Sequence, residues 1–347
     1  MDSKQREIKR VSFFEGLRGK RGTIAYFVQE GPNTCNAKCF KCYAGAGENA
    51  QKLERGIIDP ADAFRDVKEL VKEFRVIIRG TELLLNPAYI PLLKLTRDKT
   101  ILTNGIVLGQ HPERLDLLAE NEVSNIVITY PFRSNPSTET NIMHLSLKRD
   151  LIGLGIRAIK AHPFPFVLQL STIVTKNSLP FLDDICEEAR RHKADVLRFI
   201  PFTAQGGIND SMALSQSERE YLVEKVTELK KKYSKNELVI HTPGVLGLFP
   251  LRAEKKQMVS RHITPDEQLI CPAGLYYFAI SAVKKVDEKG TYWPVTPCHF
   301  LMDLFIGKYR GGNMLELNDE EINKIFWEAD RSDCYAQVRP PLVVTKS

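Results

Sequence analysis

Cys35, Cys39 and Cys42 stand in the run Cys35-Asn36-Ala37-Lys38-Cys39-Phe40-Lys41-Cys42-Tyr43, a C-x3-C-x2-C spacing inside one loop. Three thiolates this close together can hold three irons of a cubane 4Fe-4S cluster, leaving the fourth iron without a protein ligand and therefore reactive. Zinc also takes thiolates, but structural zinc uses four ligands in two close pairs, and no second pair lies nearby. A disulfide framework fits poorly, because seven cysteines is an odd number and three of them crowd one loop.

The other chemistry-bearing positions fall at the ends of short apolar runs. Gly80-Thr81-Glu82 follows Val76 to Arg79, Thr103-Asn104-Gly105 follows Ile101-Leu102, and Thr129 closes the run from Asn125 to Tyr130. Taken alone, a strand-end carboxylate is a surface group and an Asn-Gly pair is a turn. Ser171 and Thr172 are strand hydroxyls, and Cys186 sits on an apolar helical face as a small hydrophobe. The histidines (His111, His144, His162, His192, His241, His262, His299) show no paired metal spacing. No Walker loop, nucleophile elbow or dinucleotide fingerprint is present.

Elements that could hold these residues alternate along the chain. The cysteine loop comes after a β-branched and aromatic run, Thr23 to Gln29, and the turn-forming Gly31-Pro32-Asn33. Asp59-Pro60 starts a helix whose apolar stripe runs through Ala63, Val67, Leu70 and Phe74. Strand and helix then repeat through Val167–Val174, Leu179–His192, Val196–Pro201 and Ser215–Tyr233, with a strand from Leu238 to His241. The expected fold is α/β, a partial (β/α)6 TIM-like barrel with its site at the strand ends.

From 242 to 268 Gly and Pro mark a linker, and beyond it the character changes. Tyr276 to Val283 and Thr291 to Thr296 read as a hairpin turning at Asp287 to Gly290, and Asn318 caps a helix through Ile322, Ile325, Phe326 and Ala329. A hairpin plus helix is too small to bury its own core and has to dock on the barrel or be stapled.

With 43% hydrophobic and 27% charged residues, the composition is that of an ordinary globular protein. A net charge of +6 with scattered basic runs argues against a nucleic-acid binder. No apolar run has membrane-spanning length, and Met1 to Arg10 is charged rather than signal-like, so the expected place is the cytoplasm, without a membrane partner.

The cysteine spacing, set just past a strand, resembles the radical S-adenosylmethionine (SAM) enzymes. In that family the open iron chelates the amino and carboxylate groups of SAM, and reductive cleavage releases a 5′-deoxyadenosyl radical that abstracts a substrate hydrogen. The resemblance implies an external electron donor of flavodoxin or ferredoxin type. It makes Gly80, Thr81 and Glu82 the counterpart of the Gly-Gly-Glu segment that holds the methionyl amine, with Thr81 in place of a glycine. It also assigns Asn104 and Thr129 to polar SAM contacts. Lys41 stands where an aromatic residue often packs near adenine, so Phe40 or Tyr43 would supply the ring.

Cys271-Pro272-Ala273-Gly274, the hairpin at Gly290 and Pro297-Cys298 resemble the SPASM extension or its shortened twitch form, which binds an auxiliary 4Fe-4S cluster. The implied ligands are Cys271, Cys298 and Cys334, with a fourth position open or filled by His299, Asp333 or substrate. The implied domains are an extension (1–22), the barrel (23–241), the linker (242–268) and the auxiliary-cluster domain (269–347). This architecture resembles enzymes that crosslink, epimerise or oxidise a ribosomally made peptide; the alternative is an oxidoreductase on an aminosugar, haem or cofactor precursor. A non-catalytic iron-sulfur carrier would have no use for Glu82. Tyr276, Tyr292 and Cys298 are possible hydrogen donors, and nothing in their spacing marks a catalytic residue.

Overall fold

Each β-branched run in the first two thirds of the chain is followed by an amphipathic segment long enough to cross back over a sheet, which makes neighbouring strands parallel. A computed structural model of the chain describes residues 23–29, 34–37, 39, 57–97, 99–133, 148–202, 212, 214–233, 238–241, 277–281, 283–296, 305, 307–311 and 315–317. Strands β1 (Thr23–Phe27), β2 (Arg75–Arg79), β3 (Thr100–Thr103), β4 (Asn125–Thr129), β5 (Val167–Val174), β6 (Val196–Pro201) and β7 (Val239–His241) alternate with helices. The helices are α1 (Pro60–Glu73), α2 (Ile90–Leu95), α3 (Ile106–Gln110), α4 (Arg114–Glu120), α5 (Arg149–Ala161), α6 (Leu182–Arg191) and α7 (Gln216–Tyr233). The β1–β2 ladder and all ladders from β3 to β7 are parallel, giving the expected partial barrel with β7 added beyond the six units. No described helix is long and apolar enough to cross a membrane.

Local chemistry accounts for the elements nearest the strand ends. Asp59 caps α1, its carboxylate accepting from Ala61 N at 2.8 Å, and Pro60 occupies the first turn where its missing N–H is not needed. Ala63, Val67 and Leu70 are buried in one core cluster with Ile24 and Tyr26 of β1. Helix α3 lies so close to α5 that a Cβ on Gly109 would fall 1.9 Å from the Leu151 carbonyl oxygen, so only glycine fits. The same crossing puts Gly155 of α5 against the Gly105 carbonyl, holding the turn after β3 from below.

The barrel wall is split. Strands β3-β4-β5-β6-β7 form one sheet, while β1 and β2 belong to another of order β12-β11-β10-β8-β1-β2, with β9 attached to β10. The later strands are β8 (Tyr277–Ser281), β9 (Lys285–Asp287), β10 (Gly290–Thr296), β11 (Gly307–Tyr309) and β12 (Leu315–Leu317). This corrects the expected hairpin. The Glu288-Lys289 turn joins β9 to β10, whereas β8 pairs with the other end of β10 and runs parallel to β1 from Thr23↔Tyr277 to Phe27↔Ser281. The reason lies in the open barrel, which leaves an edge on β1 that a short C-terminal strand can cover. Strands β11 and β12 were not expected, and the helix expected from Asn318 lies outside the described residues.

A polar cluster around buried Asp66 fastens this join. Asp66 of α1 accepts from the Tyr26 hydroxyl at 2.9 Å and from Lys284 Nζ at 2.5 Å, and the Lys284 ammonium stands 4.5 Å from the centre of the Trp293 ring. Trp293 stacks on Tyr309, whose ring meets Phe74 edge-on at 5.2 Å. Asp287 binds both Lys308 and Arg310, which hold its carboxyl well below the usual carboxylate range.

Candidate active site at the cysteine loop

The segment leaving β1 is pinned before it reaches the cysteines. Val28 N donates to the Arg79 carbonyl at 3.0 Å, and Gln29 bridges Ile57. In the loop itself, the Thr34 carbonyl accepts from the Thr81 hydroxyl at 2.5 Å and from Glu82 N at 3.3 Å. Thr81, which replaces the second glycine of the family segment, thus latches the loop, and its φ is not in the left-handed region. Gly80 is needed for closeness, since a Cβ there would come within 3.0 Å of both Gln29 Cγ and Leu83 Cδ2.

Glu82 is fully buried. Its Oε1 accepts from the Thr103 hydroxyl at 2.8 Å and from Leu84 N at 3.4 Å, and its Oε2 accepts from Asn104 N at 2.8 Å. Burial pushes the carboxyl up to about 7 against the opposing pull of those three hydrogen bonds. The carboxylate therefore joins the end of β2 to the end of β3, two strands that share no ladder among the described residues.

Asn104 passes the connection on to the cysteines. Its Oδ1 accepts from Ile106 N at 2.9 Å, while its Nδ2 donates to Asn36 Oδ1 at 2.7 Å and approaches Cys35 Sγ at 3.6 Å. Gly105 next to it has φ +78°, the left-handed turn that a side chain resists. A second donor, Ala37 N, lies 3.4 Å from the same sulfur. Two N–H groups converging on one sulfur suit a free or metal-bound thiolate better than a neutral thiol.

The structure thus brings Cys35, Gly80, Thr81, Glu82 and Asn104 to one place. Cys39 is half-buried in the same loop, packed against the core. Thr129 ends β4 opposite Ser171, on the adjoining sheet. Phe40, Cys42, Tyr43, Cys271, Cys298 and Cys334 lie outside the described residues, and among the described residues no three metal-ligating side chains cluster. The sulfur-only donor set and the donors aimed at Cys35 fit an iron-sulfur cluster. Cys186 is fully buried, and burial first of all pushes its thiol up to about 12.

Sequence reasoning missed Thr34 and Asn36 as partners of the site and passed over the hydroxyl of Thr81. A signal for the last was available, since a glycine replaced by a residue with a donor often marks a new hydrogen bond rather than a lost fit. It also passed over Arg198, a charge in the apolar run from Val196 to Ile200.

Comparison with solved structures puts this arrangement in a known fold. Streptococcus suis SuiB bound to S-adenosylmethionine superposes with a TM-score of 0.60 at 15% identity, covering 93% of this chain and 70% of that one. SuiB bound to the precursor peptide SuiA gives 0.57 at 14%, covering 95% and 70%. Native anSMEcpe with bound AdoMet gives 0.55 at 13%, covering 87% and 80%. Searches with family models and against curated proteins find no match to the sequence.

Proposed function

We propose that this chain, which has the fold of the radical SAM enzymes, is one of them, with Cys35, Cys39 and Cys42 holding a 4Fe-4S cluster and SAM bound beside it. The observation that carries this reading is the run of contacts from Glu82 through Asn104 to Cys35, which ties the segment proposed for SAM to the segment proposed for the cluster. Bound cluster and SAM supply one-electron cleavage of a sulfonium C–S bond and abstraction of a hydrogen atom from substrate.

The chain's own groups orient and exclude. Thr81 and Asn104 fix the start of the loop around Cys35, and buried Glu82 holds the turn that aims the Asn104 amide. Three of roughly four lone-pair positions on the Glu82 carboxylate are filled by the protein, which leaves about one on Oε2 for a methionyl amine. Thr129 stands at the strand end for the ribose or carboxylate end of SAM, and Phe40 or Tyr43 for adenine. Cys271, Cys298 and Cys334 are the proposed ligands of an auxiliary cluster in the C-terminal part.

For substrate we favour a ribosomally made peptide, supported by the precursor peptide bound to SuiB and the peptides bound to anSMEcpe. An electron donor of flavodoxin or ferredoxin type completes the set. The test is anaerobic reconstitution with iron and sulfide, iron counting, and assay of 5′-deoxyadenosine in wild type and a Cys35/Cys39/Cys42→Ala triple variant. Wild type should hold about four irons more than the variant and alone cleave SAM. Equal iron in both, or no cleavage by wild type, would refute the reading.

A further inference from the structure

Two arginines face the barrel lumen, and no acid answers either of them among the described residues. In β6, Leu197 and Phe199 are fully buried on the helix side, so the half-buried Arg198 between them faces the lumen. The strand registers Thr129↔Ser171, Ser171↔Arg198 and Arg198↔His241 put it in a polar row across four strands. Arg79, the last residue of β2, faces the lumen from the opposite wall, in register with Phe27 and out of phase with buried Ile78.

Burial first, and Arg79 second, lower the Arg198 guanidinium from its ordinary value. Among the described residues neither arginine has an acidic partner, and Arg198 Nε is buried without any hydrogen bond. One layer deeper the lumen is neutral and polar, with Gln169 Nε2 donating to Asn125 Oδ1 at 3.3 Å. An unpaired buried cation is disfavoured, and a second cation on the opposite wall of the lumen adds to that, unless an anion arrives to answer them. The fork of a guanidinium matches a carboxylate, which can accept from both at once.

We propose that Arg79 and Arg198 bind a carboxylate of the substrate, an acidic side chain or a chain terminus, in the barrel lumen. The substrate assignment rests on the radical SAM reading; the anion site itself does not. Position favours substrate over the carboxylate of SAM. The cysteine loop and Glu82 lie at the ends of β1 to β3, whereas Arg198 is three strands past β3, about 14 Å along the sheet at the usual strand spacing. Arg79 is three residues before Glu82 and hence deeper in the barrel. A site placed there, away from the segment proposed for SAM, reads a group of the substrate and gives the enzyme a preference for acidic substrates.

Arginine footprinting tests this on the full-length reconstituted protein. Phenylglyoxal modification of Arg79 and Arg198 is followed by peptide mass spectrometry with glutarate, with its neutral counterpart glutaramide, and with SAM alone. Glutarate at about ten times its dissociation constant should slow both modifications about tenfold in the presence of SAM, and glutaramide should not. In Arg198→Gln, shown folded by circular dichroism, glutarate should no longer protect Arg79, and Arg198→Lys should restore part of that protection. Protection by SAM alone, equal protection by glutaramide, or none by either carboxylate or amide would overturn the proposal. The footprint needs no turnover, so failed SAM cleavage with intact glutarate protection would refute the enzyme reading and the substrate assignment while the anion site stood.

Discussion

The β1–β2 pair has two outer edges, and the chain closes them by different means. On the β1 side, β8 adds a full five-residue parallel register, and Asp66, Tyr26, Lys284 and Trp293 lock the join. On the β2 side no ladder reaches β3 among the described residues, and the carboxylate of Glu82 does the joining. A ladder uses backbone groups that every residue has, so it resists substitution; a side-chain clasp depends on one residue. The cysteine loop lies over the second seam. An edge without a ladder is where loops from both sheets can converge, as at the switch point of an open α/β sheet.

The largest effect should follow loss of the clasp. Glu82→Ala leaves the Thr103 hydroxyl and Asn104 N–H buried without their acceptor and opens a cavity, which we expect to cost roughly 3–5 kcal/mol in denaturant unfolding. Glu82→Gln should lose far less. An amide oxygen can accept from Asn104 N while the NH2 donates to Thr103 Oγ1, so that the Thr103 O–H has to turn to another acceptor and the long 3.4 Å bond from Leu84 is given up. A destabilisation of Glu82→Ala below that of any change at the β1–β8 seam would reverse the comparison.

The clasp also makes stability depend on pH. The folded carboxyl titrates at about 7 against 4.5 for an ordinary glutamate, so the folded state holds a proton that the unfolded chain has released. Between those values the unfolded state binds fewer protons, and stability falls as pH rises, by roughly 3 kcal/mol in all, then levels off above 7. Unfolding free energies of wild type minus Glu82→Gln, taken from pH 4.5 to 8, isolate this group. A flat difference would mean that the carboxyl is ionised throughout and the burial is relieved by solvent.

The ladder seam should be more tolerant. Asp66→Ala removes the acceptor of a buried Tyr26 hydroxyl and the partner of Lys284, for about 2 kcal/mol. Lys284→Ala should cost under about 1 kcal/mol, because that side chain is a third exposed and its ion pair is screened. Limited proteolysis should leave both variants with β8 protected. Release of the C-terminal strands in either would show that the lock, and not the ladder, holds them.

How much of this could be read from the sequence depends on the range of the interaction. Asp59-Pro60 and the stripe at Ala63, Val67 and Leu70 announce α1 because cap and stripe are local. The alternation of strand and helix gives the barrel for the same reason, and three cysteines within one loop single out the candidate site for test. The pairing of β8 with β1 was hidden, since it joins segments about 250 residues apart and nothing in Tyr277–Ser281 names its partner. The motif pointed to Glu82, but its bond to the turn after β3 depends on a gap between sheets that no local pattern encodes. Arg198 shows the reverse case, a visible charge in an apolar run that gains meaning only once Arg79 is seen across the lumen.

A further small effect separates the two seams from the helix they share. Helix α1 supplies Asp66 to one seam and packs its Ala63, Val67 and Leu70 in the same core as the strands of both. Asp59→Ala removes one exposed cap bond, to Ala61 N, and should cost about 1 kcal/mol by denaturant unfolding, with Asp59→Ser restoring most of it. The ends of α1 would fray while Asp66 and Glu82 keep their partners, so the pH slope assigned to Glu82 should be unchanged in this variant. A changed slope would mean that the cap and the clasp are coupled through α1, and that the β2–β3 seam is held by the helix as well as by the carboxylate.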